Sequence, residues 1–202
     1  NSIQLPRYTY DVIFGVMSIH HVNAIEHLFK QVSESLKPNG FFFLDEFIGP
    51  SQFQWRDEQL AVLNEQITLL PERYRPAVSN PIYQKELVRR FSVEEMNAVD
   101  PSEAIRSSEI VELLSEYFDI LEVRGCGGSL LHLLLEEIAG NFPEDDADAN
   151  RYLESLFELE DQLIASGKLE HDFAIIIAQK RTSFRTWIDY GKHKLRRAIG
   201  SR

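Results

Sequence analysis

The 202-residue sequence contains one cysteine, Cys126, which excludes an internal disulfide framework and a multi-cysteine zinc site. A reducing interior suits such a chain, and the cytoplasm is its expected location. No apolar run approaches the roughly 20 residues that span a bilayer, and the N-terminal segment shows no basic stretch leading into an apolar one. Neither export nor a transmembrane segment is expected. Positive charge is also scarce over most of the length. The net charge is −11, yet residues 180–202 hold eight Lys or Arg against Asp189 alone, which leaves −18 for residues 1–179. A body this acidic repels phosphate backbones, so nucleic acid is disfavoured as its partner and a small-molecule substrate fits better.

What is present is enough for one core. Hydrophobic residues make up 44% of the chain, aromatics 11%, with 13 Phe, and one globular domain able to offset its ordering entropy is expected. Tyr10 to Ile19 is a near-continuous apolar run, the pattern of a strand buried on both faces of a parallel sheet. Ile25, Leu28, Phe29, Val32 and Leu36 then share one helical face behind Asn23, and Lys37-Pro38-Asn39-Gly40 supplies a stop. Phe41 to Leu44 forms a second apolar run that ends at Asp45 and Glu46, so residues 10–47 read as one strand-helix-strand unit with a right-handed crossover. Polar groups at the carboxyl ends of such strands are where ligands sit.

Further along, residues 53–70 read as helix, and 71–91, broken by Pro71, Pro76 and Pro81, as an irregular lid or insertion. Ser92 and Glu95 form a capping box, Ile110 to Phe118 a short helix, and Asp119 to Gly125 a third strand. Residues 129–141 and 149–166 read as two helices, the second with Leu153, Leu156, Phe157, Leu163 and Ile164 inward. Phe173 to Ala178 is the last strand. The predicted class is α/β, a sheet with flanking helices.

The segments Tyr10 to Val22, with the exit Ser18-Ile19-His20-His21, and Leu36 to Glu46, with Lys37-Pro38-Asn39-Gly40, closely resemble Rossmann-like (class I) S-adenosylmethionine-dependent methyltransferases of the small-molecule type. Asn39 stands where that family usually has glycine. The resemblance covers residues 1 to about 47, including Leu5-Pro6, and is only compatible beyond. It implies that the four strands are the family's fourth, fifth, sixth and seventh, arranged fourth, fifth, seventh, sixth, with the fourth left as an open apolar edge. Residues 1–180 would then be the C-terminal part of a methyltransferase domain with insertions at 53–91 and 129–166 covering the substrate, and 181–202 a basic tail. The family's glycine-rich cofactor turn and its ribose-binding acidic residue are missing from these 202 residues. With Asn1 rather than Met opening the chain directly ahead of a strand, the start reads as cut, and the chain by itself is expected to be inactive. Gly125-Cys126-Gly127-Gly128 reads as a turn rather than a substitute.

The resemblance implies S-adenosylmethionine as cofactor, with Gly15 and Val16 bringing backbone to its methionine end and Ser18 and His21 lining the same crevice. A bland alternative is that Gly15 only permits close packing and that His21 caps a helix. His20 and Glu46 are the candidate catalytic residues: methyl transfer to oxygen or nitrogen leaves a proton to be taken up, an imidazole with pKa near 6.5 suits that role, and a carboxylate can orient the nucleophile. Proximity alone also supplies much of such a rate, and Glu46 can equally be a solvated strand-end carboxylate. His27, His132, His171 and His193 lack metal-site spacing, and no metal is expected. The rival functional reading is a non-catalytic, methyltransferase-like interaction module. In the tail, Phe184, Trp187, Ile188, Leu195 and Ile199 recur at helical spacing among Arg185, Lys192, Lys194, Arg196 and Arg197. This basic amphipathic helix has three open fates: packing its stripe on the domain, docking on a protein, or lying on an anionic membrane.

Overall fold

The computed structural model describes residues 4–200. Asn1 and Arg202, which entered the reading of the chain start and the tail charge, lie outside them. In chain order the elements are β1 (Tyr10–Val16), α1 (Ile25–Ser35), β2 (Leu36–Phe47), α2 (Asp57–Leu69), α3 (Val93–Val99), α4 (Ile110–Tyr117), β3 (Phe118–Gly125), α5 (Leu131–Leu135), α6 (Ala147–Ala165), β4 (Phe173–Lys180) and α7 (Phe184–Gly200). They fall into two compact units, one of Asn1–Ile48, Ser102–Arg124 and Ala174–Arg202, the other of Gly49–Pro101 and Gly125–Phe173. Among the described residues no helix is long and apolar enough to cross a membrane.

The first unit is built on a four-stranded sheet of order β1-β2-β4-β3, the order implied by the resemblance. β1 and β2 are parallel, in register from Val12 opposite Phe41 to Val16 opposite Asp45. The end of β4 meets the start of β2, where Lys180 Nζ donates to the Leu36 carbonyl and Gln179 Nε2 to that of Asn39, and Arg181 reaches Asp119 at the start of β3. β4 therefore runs opposite to both neighbours. One face carries the core, in which Phe29, Phe42 and Phe118 are almost wholly buried with Ile25, Leu114 and Ile176. The Phe29–Phe42 and Phe42–Phe118 ring centroids lie 6.1 and 5.6 Å apart, and each such side chain contributes roughly 1.5–3 kcal/mol through burial.

The expectation that β1 is buried on both faces is not met. Val12, Phe14 and Val16 are 43%, 67% and 54% exposed, because among the described residues β1 is covered only on the face that carries Ile13 and Gly15. The Lys-Pro-Asn-Gly stop also survives in altered form. Three residues of β1, Tyr10 to Val12, lie against six of β2, Leu36 to Phe41, so the turn becomes a bulge inside a longer strand. Asn39 takes φ 62° there, a left-handed conformation that Asn tolerates. A Cβ on Gly40 would lie 3.0 Å from the Asp11 and Lys37 carbonyl oxygens.

In the second unit, the capping box of α3 forms as expected, with Ser92 Oγ accepting from Glu95 N and Glu95 Oε2 from Ser92 N. The helix expected over 129–141 shrinks to α5 plus a 3-10 turn at Ala139–Asn141, since Glu136 leaves helical geometry and Glu137 takes φ 65°. On α6 the inward set is Ala149, Leu156, Glu160 and Leu163. Phe157, expected inward, is 48% exposed, being about 100° around the helix from Leu156. Glu160 takes a core position because its carboxylate accepts from the backbone N–H of Gly128, Leu130 and Leu131. The glycine turn thus closes on an internal anion: a Cβ on Gly127, which has φ +74°, would lie 2.3 Å from Glu160 Oε2.

Asp172, 4% exposed, accepts from Trp55 Nε1 at 3.2 Å. Burial pushes its carboxyl up to about 6 against hydrogen bonds from Trp55 and Gln59, with Glu160 and Glu170 adding repulsion. A raised carboxyl pKa means stability that is complete below the unfolded value of 3.8 and lost as pH rises through about 6. Urea denaturation between these pH values is expected to show a loss of about 3 kcal/mol in the natural chain that the Asp172→Asn variant lacks.

Candidate functional site

The parallel register brings the carboxyl ends of β1 and β2 together, with Val16 beside Asp45 and Met17 N donating to the Asp45 carbonyl at 2.8 Å. From there the chain reverses through Met17 and Ser18 into a 3-10 turn, Ile19–His21. Met17 adopts φ 43°, a region unfavourable for a residue bearing Cβ. What holds it is Glu46. Its fully buried carboxylate accepts from Ser18 N at 2.9 Å and Ile19 N at 2.6 Å through one oxygen, and from Phe47 N at 2.9 Å and His20 Nδ1 through the other.

Burial opposes charge on Glu46, but the hydrogen bonds from His20, Ser18 and Ile19 outweigh it and hold the pKa below the ordinary carboxylate value. For His20, 4% exposed, burial likewise opposes charge, and the Glu46 bond with the fields of Glu46 and Glu103 raises the pKa above 6.5. The Nδ1–Glu46 bond leaves Nε2 pointing outward, 3.7 Å from Glu103 Oε1. His21 Nε2 lies 3.7 Å from the other Glu103 oxygen, its Nδ1 is 3.3 Å from Ser102 Oγ, and the two imidazole centroids are 4.2 Å apart. The result is a chain of alternating carboxylates and imidazoles, Glu46, His20, Glu103, His21, that runs from the interior to the surface.

Glu103 reaches this place because Arg106 ties its segment down. The guanidinium makes paired bonds to Glu26 at 2.7 and 2.9 Å and to Glu109 at 2.7 and 2.9 Å, and donates to the Asn23 carbonyl. Ile105 N also donates to the His20 carbonyl at 3.1 Å. Sequence reasoning missed Glu103 and Ser102. They carry no motif, and only the fold brings them across some 80 positions.

The residues predicted for the site do gather at this sheet edge, but in two layers. His20, Glu46 and Gly15 are buried, while Val16, Ser18 and His21 are exposed. A Cβ on Gly15 would lie 3.1 Å from Ile19 Cδ1 and 3.2 Å from Leu44 Cδ2, so glycine there lets the turn pack onto β2. The donor atoms of His20, His21 and Glu103 fall within 4.8 Å of one another. The Glu103 oxygens lie 3.7 Å from His20 Nε2 and from His21 Nε2.

Removing the charge at Glu46 leaves buried donors without their anion. The Glu46→Gln variant is expected to lose about 3 kcal/mol in chemical denaturation. The pH signature follows from both partners. The depressed Glu46 pKa contributes stability above 4.5 that fades as pH falls through the folded value, and the raised His20 pKa contributes stability below 6.5 that fades as pH rises through its folded value. The pair's contribution is thus largest between these limits, and the variant is expected to lack that maximum.

No protein-family model matches the sequence, and neither does any curated protein. Among solved structures, the chain is similar to the (4+2)-cyclase SpnF, with TM-score 0.41 and 16% identity over 90% of this chain and 53% of that one. It is likewise similar to an S-adenosylmethionine-dependent methyltransferase from Mesorhizobium loti, with TM-score 0.40 and 16% identity over 89% and 66%. A third is the O-methyltransferase of a trans-AT PKS multienzyme from Brevibacillus brevis in complex with S-adenosyl-L-homocysteine, with TM-score 0.40 and 16% identity over 96% and 52%. The chain therefore spans between about half and two thirds of the length of these three.

Proposed function

We propose that the chain is the C-terminal part of a cytoplasmic S-adenosylmethionine-dependent methyltransferase, a transferase acting on an oxygen or nitrogen of a small molecule. The observation that carries this reading is the convergence of the two family-like segments, Gly15 to His21 and Asp45-Glu46, at one end of a sheet whose strand order is the family's. When bound, the cofactor supplies an electrophilic methyl group. In this reading Val16 and Ser18, exposed at the end of β1, meet its methionine end, on a turn held by Glu46. The ribose carboxylate and glycine-rich turn that the reading requires are not among residues 1–202, and the internal glycine turn is filled by Glu160.

The acceptor must also lose a proton. His21 and Glu103, at the outer end of the relay, are the groups within reach of solvent, with side chains 38% and 26% exposed. In this reading they take the proton, His20 stabilises the charge from behind, and Glu46 positions His20 by fixing which ring nitrogen faces outward. Aligning the acceptor with the methyl group supplies the larger share of the rate.

Calorimetric titration of S-adenosylmethionine and S-adenosylhomocysteine tests this, with this chain compared with one extended through the preceding natural sequence. Binding by the extended chain alone is the expected result. Binding by neither would replace the proposal with a non-catalytic, methyltransferase-like interaction module.

A further inference from the structure

Helix α7 is amphipathic, but it faces the opposite way from a helix that packs its apolar stripe on its own domain. At about 100° per residue, Phe184, Trp187, Ile188, Leu195 and Ile199 span an arc of about 120°. All five are exposed, by 82%, 48%, 42%, 63% and 67%. The side turned to the domain is instead Thr186, Tyr190 and His193, the half-buried positions of the helix, with the Tyr190 and His193 rings each 5.6 Å from that of Tyr8. Among the described residues, then, nothing covers the stripe.

Charge selects between the two fates that use an uncovered stripe, docking on a protein and lying on an anionic membrane. The stripe is bordered on one side by Arg185, Lys192 and Arg196 and on the other by Lys194, with Asp189 the helix's only acid. Beside it lies a cleft of about 320 Å³ lined by Arg7, Tyr8, Asp189, Lys192, His193 and Arg196, in which His193 Nε2 is buried with no hydrogen-bond partner among the described residues. Its lining sets three cations, Arg7, Lys192 and Arg196, against Asp189, with Glu34 4.0 Å from Arg7 Nε; the balance is positive and suits a phosphate-bearing headgroup, next to a stripe suited to acyl chains. We propose that α7 is a membrane-surface helix that seats its apolar stripe in an anionic leaflet, with lipid phosphates in the Arg7–Lys192–Arg196 cleft. The strongly acidic remainder of the chain is repelled by the same surface, which orients the protein with α7 against the bilayer. This inference is independent of the proposed reaction.

The test is co-sedimentation of the chain with vesicles of phosphatidylcholine containing about 30% phosphatidylserine, and with phosphatidylcholine alone. The expected result is binding to the anionic vesicles only, accompanied by a blue shift of Trp187 emission and weakened about tenfold or more between about 0.05 and 0.5 M salt. The double variant Trp187→Asp, Leu195→Asp replaces two solvent-facing side chains, and it is expected to bind at least about tenfold more weakly with an unchanged circular dichroism spectrum. Absence of binding, equal binding to both vesicle types or an unaffected double variant would overturn the proposal. So would burial of the stripe in a salt-insensitive dimer that ignores vesicles. The salt series on the natural chain decides the question even if the variant misfolds.

Discussion

The first unit turns on one buried carboxylate. Desolvating Glu46 costs several kcal/mol, and the cost is met only because four donors converge on it: the N–H groups of Ser18, Ile19 and Phe47 and the imidazole of His20. In exchange the carboxylate holds Met17 at a positive φ, ends β1 in a tight reversal, and places two histidines side by side at the carboxyl ends of parallel strands. Glu46 is thus a positioning group, and what a ligand would meet is the turn and the relay that it organises.

The second unit solves a similar problem in the same way. After β3 the chain turns through glycines with positive φ and starts α5, whose first N–H groups have no carbonyl within the helix to meet. Glu160, projecting from α6, accepts from three of them. In both places an internal carboxyl group takes up the backbone N–H groups of a turn, and at Gly127 it fills the space beside the glycine. Asp172, with fewer donors, shows the other outcome: burial prevails and its carboxyl holds a proton up to about pH 6. Between Glu46 and Asp172, the donors facing the buried acid decide which way its pKa moves.

Much of the architecture was legible because it is local. Apolar runs marked β1, β2 and β4, periodic stripes marked α1, α6 and α7, the Ser92–Glu95 box marked the start of α3, and the two family-like segments implied the strand order that is observed. Periodicity misled where the environment of a face, rather than its pattern, was at issue. Val12, Phe14 and Val16 read as buried because they are apolar, but nothing among the described residues packs on that face of β1. Phe157 read as inward for the same reason, whereas a core position on α6 went to Glu160, whose partners lie some 30 residues back along the chain.

For the candidate site, the sequence by itself determined the residues at the two strand ends, His20, His21, Ser18 and Glu46, since strand length and parallel pairing bring those ends together. Only the tertiary structure decided their roles. It buried His20 on Glu46, turned His21 outward, and brought in Glu103 through the Arg106 clamp. It also turned the apolar stripe of α7 away from the domain. Backbone pairing and helical periodicity act between near neighbours and so are written locally. Burial and charge depend on what packs against a residue from distant parts of the chain, and that information exists only once the chain has folded.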